Sequence, residues 1–147
     1  MAKGFPDYQP STAPGFSGTA KSYIKYAENT STSNTEQTLL TITGKGILKQ
    51  FTINISSNAA SAAFIRVYVD SESTPSFEID YDSILNTIGA ETTFNSAWYG
   101  VPYFAATTKS MWFAVDIRFE SSFSIRVFPN TALSQSHYTL VQYLLFV

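Results

Sequence analysis

From about residue 37 onward, short apolar runs alternate with polar positions, and turn-forming clusters separate them. Ile47 through Ser56 reads ILKQFTINIS. Phe51, Ile53 and Ile55 fall on one side of an extended chain, and Thr52, Asn54 and Ser56 on the other, which is the period of a half-buried strand. Leu40-Thr41-Ile42 precedes it across Thr43-Gly44-Lys45-Gly46, a turn signal. Ala63 to Asp70 predicts a further strand, and Phe77 to Asp80 a short extended piece. Ser110 to Phe119 and Phe123 to Phe128 predict two strands hinged at Glu120-Ser121-Ser122 as a hairpin. Tyr138 to Phe146 predicts a last, central strand. Tyr81 to Gly89 is the one helical segment, with Asp82 placed to cap it and Gly89 to end it.

About seven or eight strands and almost no helix predict an all-β fold, a single β-sandwich. The long connection over 88–110 favours a jelly-roll or Greek-key path over a meander. No internal repeat is visible.

The first part of the chain has no such alternation. Pro6, Pro10 and Pro14 bias their predecessors toward extended conformations, and Gly4, Gly15 and Gly18 add freedom. Lys21 to Tyr26 reads as a short strand, and Glu28 to Thr35 as a polar linker. The expected division is an extended N-terminal arm and linker over 1–35, then a β-sandwich domain over 36–147. Phe5, Tyr8 and Phe16 are aromatic anchors for such an arm, on a neighbouring chain or along its own domain.

Composition narrows the function. The chain of 147 residues fits one domain. It holds no cysteine, which removes disulfides, zinc–thiolate sites and thiol nucleophiles. A net charge of −2 with scattered Lys and Arg gives no footprint for nucleic acid. The longest apolar run, Tyr143 to Val147, is far shorter than the ~20 residues of a spanning helix, so no membrane partner is expected. Nothing at Met1-Ala2-Lys3-Gly4 resembles a secretory leader, and synthesis in the host cytoplasm is expected. Charged residues make up only 14% and aromatics 16%. Charge is thus well below the about 25% of an average domain, as on a β-surface that ends against another protein.

Candidate chemistry is sparse, and the chain is not expected to be an enzyme. His137 is the only histidine and has no nucleophile motif beside it. Asp70, Glu72, Glu78, Asp80 and Asp82 concentrate negative charge, with 78, 80 and 82 on the side of a strand opposite Phe77 and Ile79. They lack calcium-loop spacing, and as paired carboxylates they are the sole argument for a hydrolase. No cofactor and no metal is expected. Trp98, Tyr99 and Tyr103, in a stretch broken by Gly100 and Pro102, suit an aromatic loop that stacks on a glycan, assisted or not by calcium at the 78–82 carboxylates. The same aromatics equally suit a plug for the core or a subunit contact.

Thr38 to Ile53 resembles a pattern of tailed-bacteriophage virion proteins: a strand ending in Gly-x-Gly, an apolar pair, then another strand. Phe64 to Asp70 is similar to the later strand ending in Asp, and Ser122 to Val127 and Tyr138 to Phe146 to the closing strands. Ser71 stands where some relatives carry Gly. The resemblance, over roughly 38–147, implies a β-sandwich (jelly-roll-like) domain that trimerises or coats a shell. It implies a structural part of the virion, as capsid cement or decoration, head fibre, or tail and baseplate component. The partners it implies are copies of itself and other virion proteins. The alternative is a carbohydrate-binding β-sandwich using the aromatic loop.

Overall fold

The computed structural model describes residues 18–31, 35–56, 63–80, 94–95, 99–104, 108–129 and 135–147. The segment with Phe5, Tyr8 and Phe16, the expected helix at Tyr81–Gly89, and Trp98 lie outside the described residues. Ten strands follow the chain: β1 (Ala20–Ser31), β2 (Gln37–Thr43), β3 (Gly46–Ser56), β4 (Ala63–Val69), β5 (Phe77–Asp80), β6 (Phe94–Asn95), β7 (Tyr99–Phe104), β8 (Thr108–Phe119), β9 (Ser122–Pro129) and β10 (Gln135–Phe146).

The pairing is nested. β1 pairs with β10, β2 with β9, β3 with β8 and β4 with β5, all antiparallel, so the chain forms one long hairpin rolled over itself. Two further pairings, β10 with β3 and β9 with β4, gather these pairs into two sheets. Their orders are β1-β10-β3-β8-β7-β6 and β2-β9-β4-β5. Without the added β6–β7 pair this is the eight-strand, two-sheet jelly roll.

The alternation read in the sequence sets the core. Phe51, Ile53 and Ile55 of β3 are buried, as are Met111 and Phe113 of β8 and Ile125 and Val127 of β9. Rings bridge the sheets: Phe77 of β5 meets Phe51 and Phe113 edge-on, each with centroids 5.9 Å apart. Phe119 and Phe123 meet at 4.9 Å. Burying each such side chain contributes about 1.5–3 kcal/mol.

Three local expectations are corrected. β8 and β9 do not form a hairpin. They lie in different sheets, and Glu120-Ser121 crosses from one to the other. Each strand satisfies its backbone elsewhere, β8 on β3 and β9 on β2 and β4. Next, β1 is twelve residues long and runs through the stretch Glu28–Ser31 expected to be linker. Paired along its whole length with β10, it needs little burial of its own to stay extended. Lastly, Tyr99 to Phe104 is a strand, with a bulge between Gly100 and Tyr103 that accommodates Pro102.

Candidate functional site

Both tight crossovers between the sheets lie at one end of the sandwich. Gly44-Lys45 joins β2 to β3, and Glu120-Ser121 joins β8 to β9. The Gly44 amide donates to the Ser121 carbonyl at 2.7 Å, and Lys45 pairs with Glu120 at 2.6 Å. The Asp70 carboxylate holds the corner. It accepts from the backbone amides of Glu120, Ser121 and Ser122 at 2.6–3.1 Å and from the Ser121 hydroxyl at 3.0 Å. Burial works against its charge, but these donors outweigh burial and hold the carboxyl at about 2. Asp70 and Ser71 both have left-handed backbones, φ 50° and 65°. Glycine would adopt the Ser71 backbone without strain. The carboxylate singled out in the sequence as part of an acidic group is a structural clamp.

The outer face of the four-stranded sheet satisfies its own polar groups. Glu36 accepts from Arg66 Nη1 at 3.0 Å, Tyr68 hydroxyl at 2.9 Å and Arg126 Nη1 at 3.0 Å. Arg66 Nε donates to Glu78 at 2.6 Å. The Arg126 guanidinium covers the Tyr68 ring at 4.2 Å, and Arg66 lies near the rings of Phe64 and Phe128 at 5.5 and 5.4 Å. Glu78 and Asp80 do point away from Phe77 and Ile79, as their cross-strand partners Arg66 and Phe64 require. Glu78 is engaged by Arg66, Asp82 lies outside the described residues, and no group of three metal-ligating side chains occurs among those described.

The outer face of the six-stranded sheet is different. Ile24, Tyr26 and Leu140 are 69%, 55% and 49% exposed. A shallow groove of about 510 Å3 lies there, lined by Tyr26, Tyr138, Leu140, Thr52, Asn54 and Ser110, with Thr139 at its base. Register explains the grouping: Leu140 stands between Tyr26 and Thr52, and Asn54 between Tyr138 and Ser110. The Tyr26 hydroxyl donates to Glu28 at 2.6 Å, and that bond, with smaller effects of burial and the carboxylate charge, pushes the phenol up to about 12.

β1 is the edge of this sheet. Lys21 and Lys25 share the inward side of the strand with Tyr23, which stacks on Tyr143 at 5.4 Å. Inward-pointing charges on an edge strand oppose the addition of another strand. The free surface here is a face, not an edge.

His137 lies on the core side of β10, wholly buried, and neither ring nitrogen nor the Thr139 hydroxyl has a hydrogen-bond partner. Among the described residues no nucleophile or acid is hydrogen-bonded to it. Burial alone pulls its pKa down to about 4. The unfolded chain takes up the proton near pH 6.5, so stability is complete above that and declines as pH falls through about 4. The loss expected over this window is about 2–3 kcal/mol. His137→Leu should flatten it in urea titrations at stepped pH, and an unchanged slope would contradict the buried, neutral imidazole.

Of the residues expected to form the aromatic loop, Tyr99 and Tyr103 share strand β7, opposite Phe113 and Ser110 of β8. The groove residues were not expected as a site. Thr52 and Asn54 were assigned to the outward face of their strand, which was the signal available.

No known family profile matches the sequence, and no curated protein matches it. Solved structures similar to it in shape include two phage capsid structures. One is the acid-stable capsid of the Helicobacter pylori bacteriophage KHP30, with a TM-score of 0.49 and 12% identity over 86% of this chain and 94% of that one. The other is the capsid asymmetric unit of the cyanophage Pam1, with a TM-score of 0.46 and 14% identity over 99% of both chains. Likenesses of this size assign neither a family nor a function.

Proposed function

We propose that the chain is a non-enzymatic structural component of a phage virion, of the capsid cement, decoration or tail type. It assembles with copies of itself, as a trimer, and with other virion proteins. The contacts are its β faces and the N-terminal segment carrying Phe5, Tyr8 and Phe16. The observation that carries this reading is Ile24, the most exposed large apolar residue described, standing on a twelve-residue edge strand that continues directly into that segment. Thr19 and Val147 exchange backbone hydrogen bonds at 3.1 and 3.2 Å, which hold the start of β1 against the end of β10. Val147 and Tyr23 add exposed apolar surface toward the same end.

Jelly rolls build viral shells, but they also serve as lectins and cupins, so the architecture supports the reading by analogy only. Low charge and three aromatic anchors fit it further. Each anchor contributes about 1.5–3 kcal/mol on burial, against roughly 1–2 kcal/mol for each backbone residue ordered. Such a segment therefore gains most where many subunits hold it at once.

The test is the mass in solution by light scattering, with and without residues 1–17. A trimer or larger particle that falls to monomer on truncation, with the sandwich still folded by circular dichroism, is expected. The same mass in both forms would remove the role of the segment.

A further inference from the structure

The groove on the six-stranded sheet has a lining that restricts what it can hold. Tyr26 and Tyr138 form a loosely stacked pair, ring centroids 6.4 Å apart and planes 26° from parallel. Next to them Thr52, Asn54 and Ser110 present two hydroxyls and an amide. None of these three side chains is engaged in a hydrogen bond within the described residues. The volume of about 510 Å3 falls in the range of small-ligand sites, roughly 300–1,000 Å3.

We propose that this groove binds a neutral pyranose sugar, stacked on the Tyr26–Tyr138 rings and hydrogen-bonded by Thr52, Asn54 and Ser110. A pyranose has one face of C–H groups and a rim of hydroxyls. The C–H face suits an aromatic ring. Each sugar hydroxyl both donates and accepts, as do an asparagine amide and the Ser and Thr hydroxyls. An apolar peptide side chain in the same place would bury the amide and both hydroxyls without partners, at about 1–3 kcal/mol each. Charge narrows the class further. No cationic side chain is among the lining residues, and Glu28 sits at the rim, bound to the Tyr26 hydroxyl. Phosphorylated, sulfated or acidic sugars would meet repulsion without compensation. The Glu28 bond also fixes the Tyr26 ring before any ligand arrives, which reduces the ordering required on binding.

The proposal calls on neither Trp98 nor Tyr99, and it does not depend on assembly through Ile24 or the N-terminal segment. It is tested with the full chain by saturation-transfer NMR, using the methyl glycosides of glucose, galactose, mannose and N-acetylglucosamine at millimolar concentration. Binding of at least one is expected, weakened about tenfold or more in Tyr138→Ala and in Asn54→Ala. Tyr26→Phe keeps the ring and should keep binding, whereas Tyr26→Ala, at an exposed edge position, should weaken it without disturbing the fold. No transfer to any of the four glycosides would overturn the proposal. So would binding that survives both Tyr138→Ala and Asn54→Ala, or that is lost only in Trp98→Ala.

Discussion

Gly46→Ala is expected to destabilise the protein by about 3–5 kcal/mol, a large share of an ordinary total stability of about 5–15 kcal/mol. Gly46 opens β3 just past the first crossover, between Leu145 of β10 and Phe119 of β8. A Cβ there would clash with the Leu144 carbonyl oxygen and stand 2.7 Å from the Phe119 ring. The oxygen belongs to a strand paired on both sides, so it has nowhere to retreat, and Phe119 is locked against Phe123. Gly44→Ala is the comparison. Its φ of 124° is unfavourable for alanine, but the nearest atom to a Cβ is the flexible end of Leu145 at 3.2 Å. A loss of about 1–3 kcal/mol is expected there. Urea midpoints give both values, and a smaller effect at 46 than at 44 would contradict the close packing of β3 on β10.

The second large effect is at Asp70. Asp70→Ala removes the acceptor for three backbone amides and a hydroxyl at once, with an expected loss of about 2–4 kcal/mol. The Glu120 and Ser121 amides are near solvent and recover part of this from water. Asp70→Asn should lose less, since one oxygen still accepts while the new amide faces donors. The wild-type contribution depends on pH. The folded pKa is depressed to about 2, so the stabilisation is complete above about pH 4 and disappears as pH falls through 2. Allowing for solvent screening, it is about 1–2 kcal/mol. Acid unfolding should therefore show two steps, one from His137 between about pH 6.5 and 4 and one from Asp70 below pH 4. Asp70→Ala should retain only the first, as followed by tryptophan fluorescence in urea.

The sandwich was legible wherever one face of a strand is buried and the other wet. Phe51, Ile53 and Ile55 fixed both the strand and its orientation, because a period of two leaves no second choice. The hairpin at Glu120-Ser121 was misread because two polar residues between strands look alike whether the chain turns back or crosses between sheets. The choice is made by Asp70, fifty residues away, and by partners on β2, β3 and β4. β1 was read short for a related reason. As an edge strand with no fully buried residue over Ala20–Thr30, it needs no apolar alternation, and its order comes from β10. The groove was half legible. Thr52 and Asn54 were placed outward, but Tyr138 meets them through the pairing of β10 with β3, and Tyr26 joins only through that of β1 with β10.

Assembly is the central claim, and the mass of the intact chain across a concentration series, with Ile24→Ser beside it, tests it most directly. The account predicts a particle several times the 16.2 kDa of one chain, shifted toward monomer by the substitution at equal concentration. A single 16.2 kDa species at every concentration, unchanged in Ile24→Ser, would contradict it.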